Sequence, residues 1–180
     1  MENDLPNTET VHQSVQIVGC NFTNNIVSAQ AMLSLAYGSY DLLIKSSYFV
    51  DNVVAAGGLV RIYNSNYAVK IQNSSFISNS GWSGTVLSSI VDLALTLQQA
   101  VLVSSSTFIG NTAKNGGSVM SSWMSAGTVD LSVTVSKTQF TNNVAMAWSR
   151  WDLAPGKFLV DFNFMDGMKC NLKLFHLHVH

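Results

Sequence analysis

The sequence predicts an all-β chain wound as a parallel β-helix of about five coils, a solenoid, and three observations predict it. A Phe-x-x-Asn motif occurs five times in register, as Phe22/Asn25, Phe49/Asn52, Phe76/Asn79, Phe108/Asn111 and Phe140/Asn143. The residues flanking each Phe repeat as columns of like side chains. The step from one Phe to the next is 27 residues for Phe22 to Phe49 and Phe49 to Phe76, and 32 for Phe76 to Phe108 and Phe108 to Phe140. A period of this size marks a repeat architecture, in which each unit buries its apolar face only against its neighbours.

Taken in order, residues 1–12 are polar and without pattern, a flexible lead-in to a repeat region over 13–150. Seven residues before each Phe stand Val15, Leu42, Val69, Val101 and Val133, and five before stand Ile17, Ile44, Ile71, Val103 and Val135. Residues of mostly other polarity lie between them, and alternation at period two marks a half-buried strand. Two before the Phe is a small residue: Cys20, Ser47, Ser74, Ser106 or Thr138. The extra residue between Phe and Asn suits a bend from a second short strand into the next.

Eight residues after the Phe comes Gly57, Gly84 or Gly116 in the three middle copies, where Gln30 and Trp148 stand in the outer two. Glycine at such a place implies a positive φ or a close backbone approach. A third strand follows, with inward residues expected eleven after the Phe at Leu33, Val60, Leu87 and Val119. Each period thus holds three short strands and three bends. The longer periods place their added residues between the third strand and the next first strand, in Ser88–Gln99 and Ser121–Asp130. A bend that projects from a stack tolerates insertion.

Stacking at the inter-strand spacing of about 4.8 Å turns each column into a ladder of like side chains. One inward Asn would be costly through its unpaired amide, whereas a column of Asn passes hydrogen bonds along the axis, as polar ladders do in cross-β stacks. The Phe column supplies most of the apolar burial, at roughly 150–200 Å² per ring. Asn25, Asn52, Asn79, Asn111 and Asn143 with Phe22, Phe49, Phe76, Phe108 and Phe140 are therefore the structural ladder.

Beyond Ala147 the columns stop. Residues 151–180 read as a separate tail: Phe158–Met165 and Met168–Leu174 flank Asp166-Gly167, a type I′ hairpin signal. Two readings of the tail stand side by side. It caps the last coil, whose open edge calls for cover, or it is not native to the repeat, as the edge of a fragment or a mis-assigned reading frame.

Composition narrows the function classes. Of the 180 residues 47% are hydrophobic and only 11% charged, with net charge −1; charged residues usually make up about a quarter. No basic field exists to recruit nucleic acid or anionic lipid. No apolar run reaches the length of a membrane span, and the first residues show neither the basic nor the apolar region of a signal peptide. Cys20 and Cys170 are too far apart for a disulfide framework or a zinc site, and Cys20 reads as a buried structural thiol.

Candidate chemistry is sparse. His176, His178 and His180 alternate and would share one strand face, as a zinc set needs, but they lie at a terminus prone to fraying and are read as exposed. His12 lies outside the repeats and is read the same way. Glycoside hydrolysis needs two facing carboxylates. The column two after the Phe holds Asn24, Asp51, Ser78, Gly110 and Asn142, a single acid, while Asp41, Asp92, Asp130 and Asp152 fall in other columns. Arg61 points outward between Val60 and Ile62, nearest to Lys45 or Lys70. No catalytic, cofactor or metal set is assigned. Asn21-Phe22-Thr23 and Asn73-Ser74-Ser75 match the glycosylation sequon, which arises by chance in so Ser- and Asn-rich a chain.

Phe49-Val50-Asp51-Asn52 with Gly57-Gly58-Leu59-Val60, and Phe108-Ile109-Gly110-Asn111 with Gly116-Gly117-Ser118-Val119, resemble the repeats of the polymorphic outer membrane protein family and, more broadly, right-handed β-helix adhesin passengers. The resemblance spans about residues 15–150. It implies a right-handed β-helix and an extracellular or cell-surface scaffold, adhesin-like and non-catalytic, whose partner is a glycan or a cell-surface protein. The fold is shared by pectate lyases and polygalacturonases, so a polysaccharide-active enzyme with its site outside this chain is the second expectation. A purely structural repeat module is the third.

Overall fold

The computed structural model describes residues 12–93, 95–115, 117–124, 128–145 and the backbone of 169–178. These residues are all β, without a helix. The lead-in before His12, the turn after Ala147 and the Asp166-Gly167 hairpin signal lie outside the described residues.

Each of the first four repeats contributes four strands. The first has β1 (His12–Val18), β2 (Asn21–Thr23), β3 (Ile26–Val27) and β4 (Leu33–Ala36). The second has β5 (Ser39–Lys45), β6 (Tyr48–Val50), β7 (Val53–Val54) and β8 (Val60–Tyr63). The third has β9 (Asn66–Gln72), β10 (Ser75–Ile77), β11 (Ser80–Gly81) and β12 (Leu87–Val91). The fourth has β13 (Thr96–Ser104), β14 (Thr107–Ile109), β15 (Thr112–Ala113) and β16 (Met120–Met124). In the last, β17 (Thr128–Thr141) runs through both opening positions and β18 (Val144–Ala145) follows.

Every strand of the repeats pairs in parallel with its counterpart one repeat away, which gives three sheets. One is ten-stranded, in the order β1-β5-β9-β13-β17-β14-β10-β6-β2; one joins β18-β15-β11-β7-β3; and one joins β16-β12-β8-β4. The tenth strand of the first sheet is β19 (Lys169–His178), which lies antiparallel along β17 with register shifts at Leu131/Val133 and Val135/Thr138. It lies along the edge of β17.

The columns hold in register. Val15 pairs with Leu42, Leu42 with Val69, Val69 with Val101 and Val101 with Val133, and the Phe column pairs in the same way from Phe22 to Phe140. Leu42, Ile44, Val69, Ile71, Phe76 and Phe108 are buried in the core between the sheets.

The expected three strands per period are four because the backbone is kinked within the first sheet. Gly19, Ser46, Asn73, Ser105 and Lys137, each three residues before a Phe, have positive φ, between 49° and 64°. A second kink falls two residues after each Phe, at Asn24, Asp51, Ser78, Gly110 and Asn142, with φ between 52° and 62°. This is the column searched above for acids. Its mixture of Asn, Asp, Ser and Gly suits the left-handed region, which short polar residues and glycine tolerate best.

One column is corrected. Leu33, Val60 and Leu87 are in register, but Leu87 pairs with Met120 rather than Val119. Val86 N–H and Leu87 N–H both donate to the Val119 carbonyl, at 2.9 and 3.0 Å. Met120 stands twelve residues after Phe108, whereas Leu87 stands eleven after Phe76, so one residue is added here. The fourth repeat therefore takes part of its added length before its third strand, not all of it after.

Gly57 and Gly58 mark close approach. A Cβ on Gly57 would stand 2.0 Å from the Gln30 carbonyl oxygen, and one on Gly58 2.1 Å from that of Gly84. Backbone has no room to give there, so Gly58→Ala is expected to cost about 1–3 kcal/mol or more. Gly19→Ala, where nothing lies within 4 Å and only the positive φ resists, is expected to cost no more than about 1–2 kcal/mol. Chemical denaturation of both variants checks the ordering.

Candidate functional site

The five motif asparagines form one hydrogen-bonded file. Asn52 donates its backbone N–H and its Nδ2–H to Asn79 Oδ1, at 3.1 and 2.9 Å, and its other Nδ2–H to the Phe22 carbonyl at 2.9 Å. Asn79 repeats this towards Asn111 and Phe49, and Asn111 towards Asn143 and Phe76. Asn25 starts the file with two bonds to Asn52 Oδ1, and Asn143 returns a bond to the Phe108 carbonyl. Asn52, Asn79 and Asn111 are fully buried. Each middle amide thereby uses both donor hydrogens and two acceptor positions, so burying the column leaves no polar group unpaired.

The phenylalanines stack beside them. Ring centroids lie 4.8 to 5.0 Å apart with interplanar angles of 13° or less from Phe22 to Phe140. The small-residue column proves to be a second polar ladder. Cys20, Ser47 and Ser74 each donate their N–H to the next hydroxyl at 3.2 Å, and Ser106 does so to Thr138 Oγ1 at 3.5 Å. Each hydroxyl in turn donates to the carbonyl two residues before it. A hydroxyl, not merely small size, is what this column requires. Cys20 is corrected from buried to half-buried: it closes the file in the first repeat, with its thiol 3.4 Å from the Val18 carbonyl.

A surface cluster was not foreseen. Arg61, Tyr63 and Asn64 close the third strand of the second repeat, and Asp92 follows β12 one repeat on. The Tyr63 hydroxyl donates to one Asp92 oxygen, and Asn64 Nδ2–H donates to the other at 2.5 Å. Asn64 Oδ1 accepts the N–H groups of Asp92 and Leu93, at 2.9 and 3.3 Å. The Arg61 guanidinium lies over the Tyr63 ring, 5.0 Å from its centroid, a cation–π placement. Tyr37 meets the same ring edge-on, with centroids 5.4 Å apart and an interplanar angle of 85°. Arg61 is thus placed beside Tyr63 and near Asp92, not towards Lys45 or Lys70.

Asp92 had been set aside as an isolated acid. It enters the cluster because the inserted bend returns it to Asn64, and column counting carries no information about an inserted segment. Asn64 Oδ1 anchors it by accepting the two N–H groups that follow β12.

The cluster holds Asp92 ionised and Tyr63 protonated. Hydrogen bonds from Tyr63 and then Asn64 keep the Asp92 carboxyl below the ordinary aspartate value, and the bond to Asp92 is the main cause pushing Tyr63 up to about 12. A depressed carboxylate adds stability above its unfolded value that is lost as pH falls through the lower folded one. A raised phenol adds stability below its ordinary value of 10.0 that is lost as pH rises towards about 12. Phenolate absorbance is expected to show one tyrosine titrating near 12, moving back towards 10 in Asp92→Asn.

The remaining expectations fall as follows. His12 is exposed and lies 2.7 Å from Asp41, a surface pair of little worth. Asp41 and Asp51 are not part of the Asp92 cluster. The side chains of His176, His178, His180 and Cys170 lie outside the described residues. Among the described residues, no group of three or more His, Cys, Asp or Glu is placed to hold a metal, and no helix is long and apolar enough to cross a membrane. Comparison with family models, curated proteins and solved structures found no match.

Proposed function

We propose that the repeats close into a right-handed parallel β-helix of about five coils, and that the chain is a non-catalytic cell-surface or extracellular scaffold, adhesin-like, that presents its outward columns to a glycan or a protein. The observation that carries the reading is the set of large apolar side chains held at the surface of rigid strands and bends. Tyr37 is 68% exposed, Tyr48 55%, Trp82 47% and Trp123 39%, and Ile26 and Val53, paired in one outward column, are 85% and 44% exposed. Exposed apolar patches rimmed by polar groups mark interaction sites. Tyr48, Ile26 and Val53 are chain neighbours of the Phe and Asn files, which fix their positions, so little ordering entropy is lost on contact there. The extracellular placement and the handedness rest on the resemblance in Phe-x-x-Asn and Gly-Gly-x-aliphatic.

A glycan array, run alongside a panel of immobilised cell-surface proteins, is expected to give salt-tolerant binding to at least one member. Incubation with pectin and other uronate polymers, with and without calcium, is expected to release no unsaturated or reducing ends. Turnover of any of these polymers contradicts a non-catalytic role, and silence on every panel contradicts a binding role.

A further inference from the structure

Among the exposed aromatic residues Tyr37 is set apart by its backbone. Its φ is +55°, a conformation costly for a bulky side chain. The equivalent position one repeat on is Asn64, φ +47°, the residue type that accepts this bend most readily after glycine. The kink is shared by these two repeats, and the tyrosine is the ill-suited occupant. Its N–H is held by the Tyr63 carbonyl at 3.1 Å and its ring by the edge contact with Tyr63, yet 68% of the residue faces solvent. Strain held at an exposed ring points to a use for the ring rather than to packing.

The neighbours of that ring are polar and immobilised. Asp92 is ionised at neutral pH and receives one hydrogen bond on each oxygen, while a carboxylate offers about four acceptor positions. Arg61 stacks on Tyr63 through its flat guanidinium, whose N–H groups lie around its rim. One cation and one anion balance, so the cluster favours neither an anionic nor a cationic ligand. What fits is a neutral molecule with one apolar face and a rim of hydroxyls.

We propose that Tyr37, Arg61, Tyr63 and Asp92 form a binding site for a neutral pyranoside of a glycan chain. The sugar's C–H face stacks on the Tyr37 ring, and its hydroxyls donate to Asp92 and accept from Arg61. The glycan continues along the repeat axis. Ile90 and Trp123 stand in the same outward column as Tyr63, by the pairings Tyr63 with Ile90 and Ile90 with Trp123. Two strand spacings, roughly 10 Å, therefore separate the Tyr63 and Trp123 positions, and Trp123 offers a second stacking ring. The site rests on the surface-binding role proposed above and names its ligand class.

The test titrates the full chain against neutral oligosaccharides (cello-, manno- and galacto-pentaoses) and, in parallel, against oligogalacturonate, with tyrosine and tryptophan fluorescence and calorimetry as readouts. Tyr37→Ala keeps a Cβ at the same positive φ and leaves the core untouched, so thermal melting is expected to hold within a few degrees; Trp82→Ala is the exposed-aromatic control. At least one neutral oligosaccharide is expected to bind, with affinity reduced tenfold or more in Tyr37→Ala and in Asp92→Asn and unchanged in Trp82→Ala. Neutral-glycan binding that survives Tyr37→Ala overturns the site while leaving the scaffold role standing. Preference for oligogalacturonate, or binding confined to proteins, overturns the ligand class. Absence of binding to any glycan or protein removes both the site and the role.

Discussion

Phe76→Ala is expected to be among the most destabilising single substitutions in the chain, at about 3–5 kcal/mol. Phe76 has no exposed surface and stacks on Phe49 at 4.9 Å and on Phe108 at 5.0 Å. Truncation removes an apolar ring and leaves a cavity that two flanking rings, themselves in register with a paired backbone, have little freedom to fill. The same change at Phe22 meets a ring on one side only, Phe49 at 4.8 Å, in a residue already half-buried. Its cost should be clearly smaller. For a chain of this length the difference appears as a fall in melting temperature on the order of 10 °C for Phe76→Ala. Equal losses at the two sites would mean that the rings do not act as a stack.

Asn79→Ala tests the polar file with an effect of similar size. The substitution deprives Asn52 N–H and Nδ2–H of their acceptor and the Phe49 carbonyl and Asn111 Oδ1 of a donor. Each buried group left without a partner costs roughly 1–3 kcal/mol, so the sum should reach about 3 kcal/mol or more. Asn25→Ala, at the exposed start of the file, is expected to cost less than half of that. Asn79→Asp keeps the shape but removes the donors and buries a charge beside the Asn111 oxygen. Its carboxyl pKa must rise on folding, so the variant should recover stability as pH is lowered and lose it as pH rises, the sign required of a raised folded pKa. Denaturant unfolding at two pH values reads this directly.

The legible part of the fold was the part carried by side chains with one demanding chemistry. An Asn admitted to a core must find partners for two donors and an acceptor, and a Phe must find area. Both therefore recur without substitution and can be counted off the page. The Ser and Thr file was seen only as a column of small residues, because Cys20 at its end has no hydroxyl and disguised the common feature. The two kinks per repeat were hidden for a related reason. The left-handed region accepts Asn, Asp, Ser and Gly, and even Lys137 where context holds it, so no single residue type announces the bend.

Inserted segments were the least legible. Counting from Phe108 assumes a constant offset, and the residue added before β16, which pairs Met120 rather than Val119 with Leu87, breaks that assumption by one. Asp92 lies just past β12, where no column constrains it. Its meeting with Tyr63 and Asn64 depends on the path of a loop, so a sequence pattern offers an outward Arg61 and an isolated acid. The structure offers an organised surface cluster.

Hydrogen exchange of the asparagine side-chain amides tests the stacking of like residues most directly. Deeply buried, fully bonded groups exchange only through large openings of the structure. The Nδ2 protons of Asn52, Asn79 and Asn111 should resist exchange as long as the slowest backbone amides of β9 and β13, while those of the exposed Asn24 exchange far faster. Rapid exchange at the three central asparagines would contradict the ladder, and with it the rigid surface on which the proposed binding role depends.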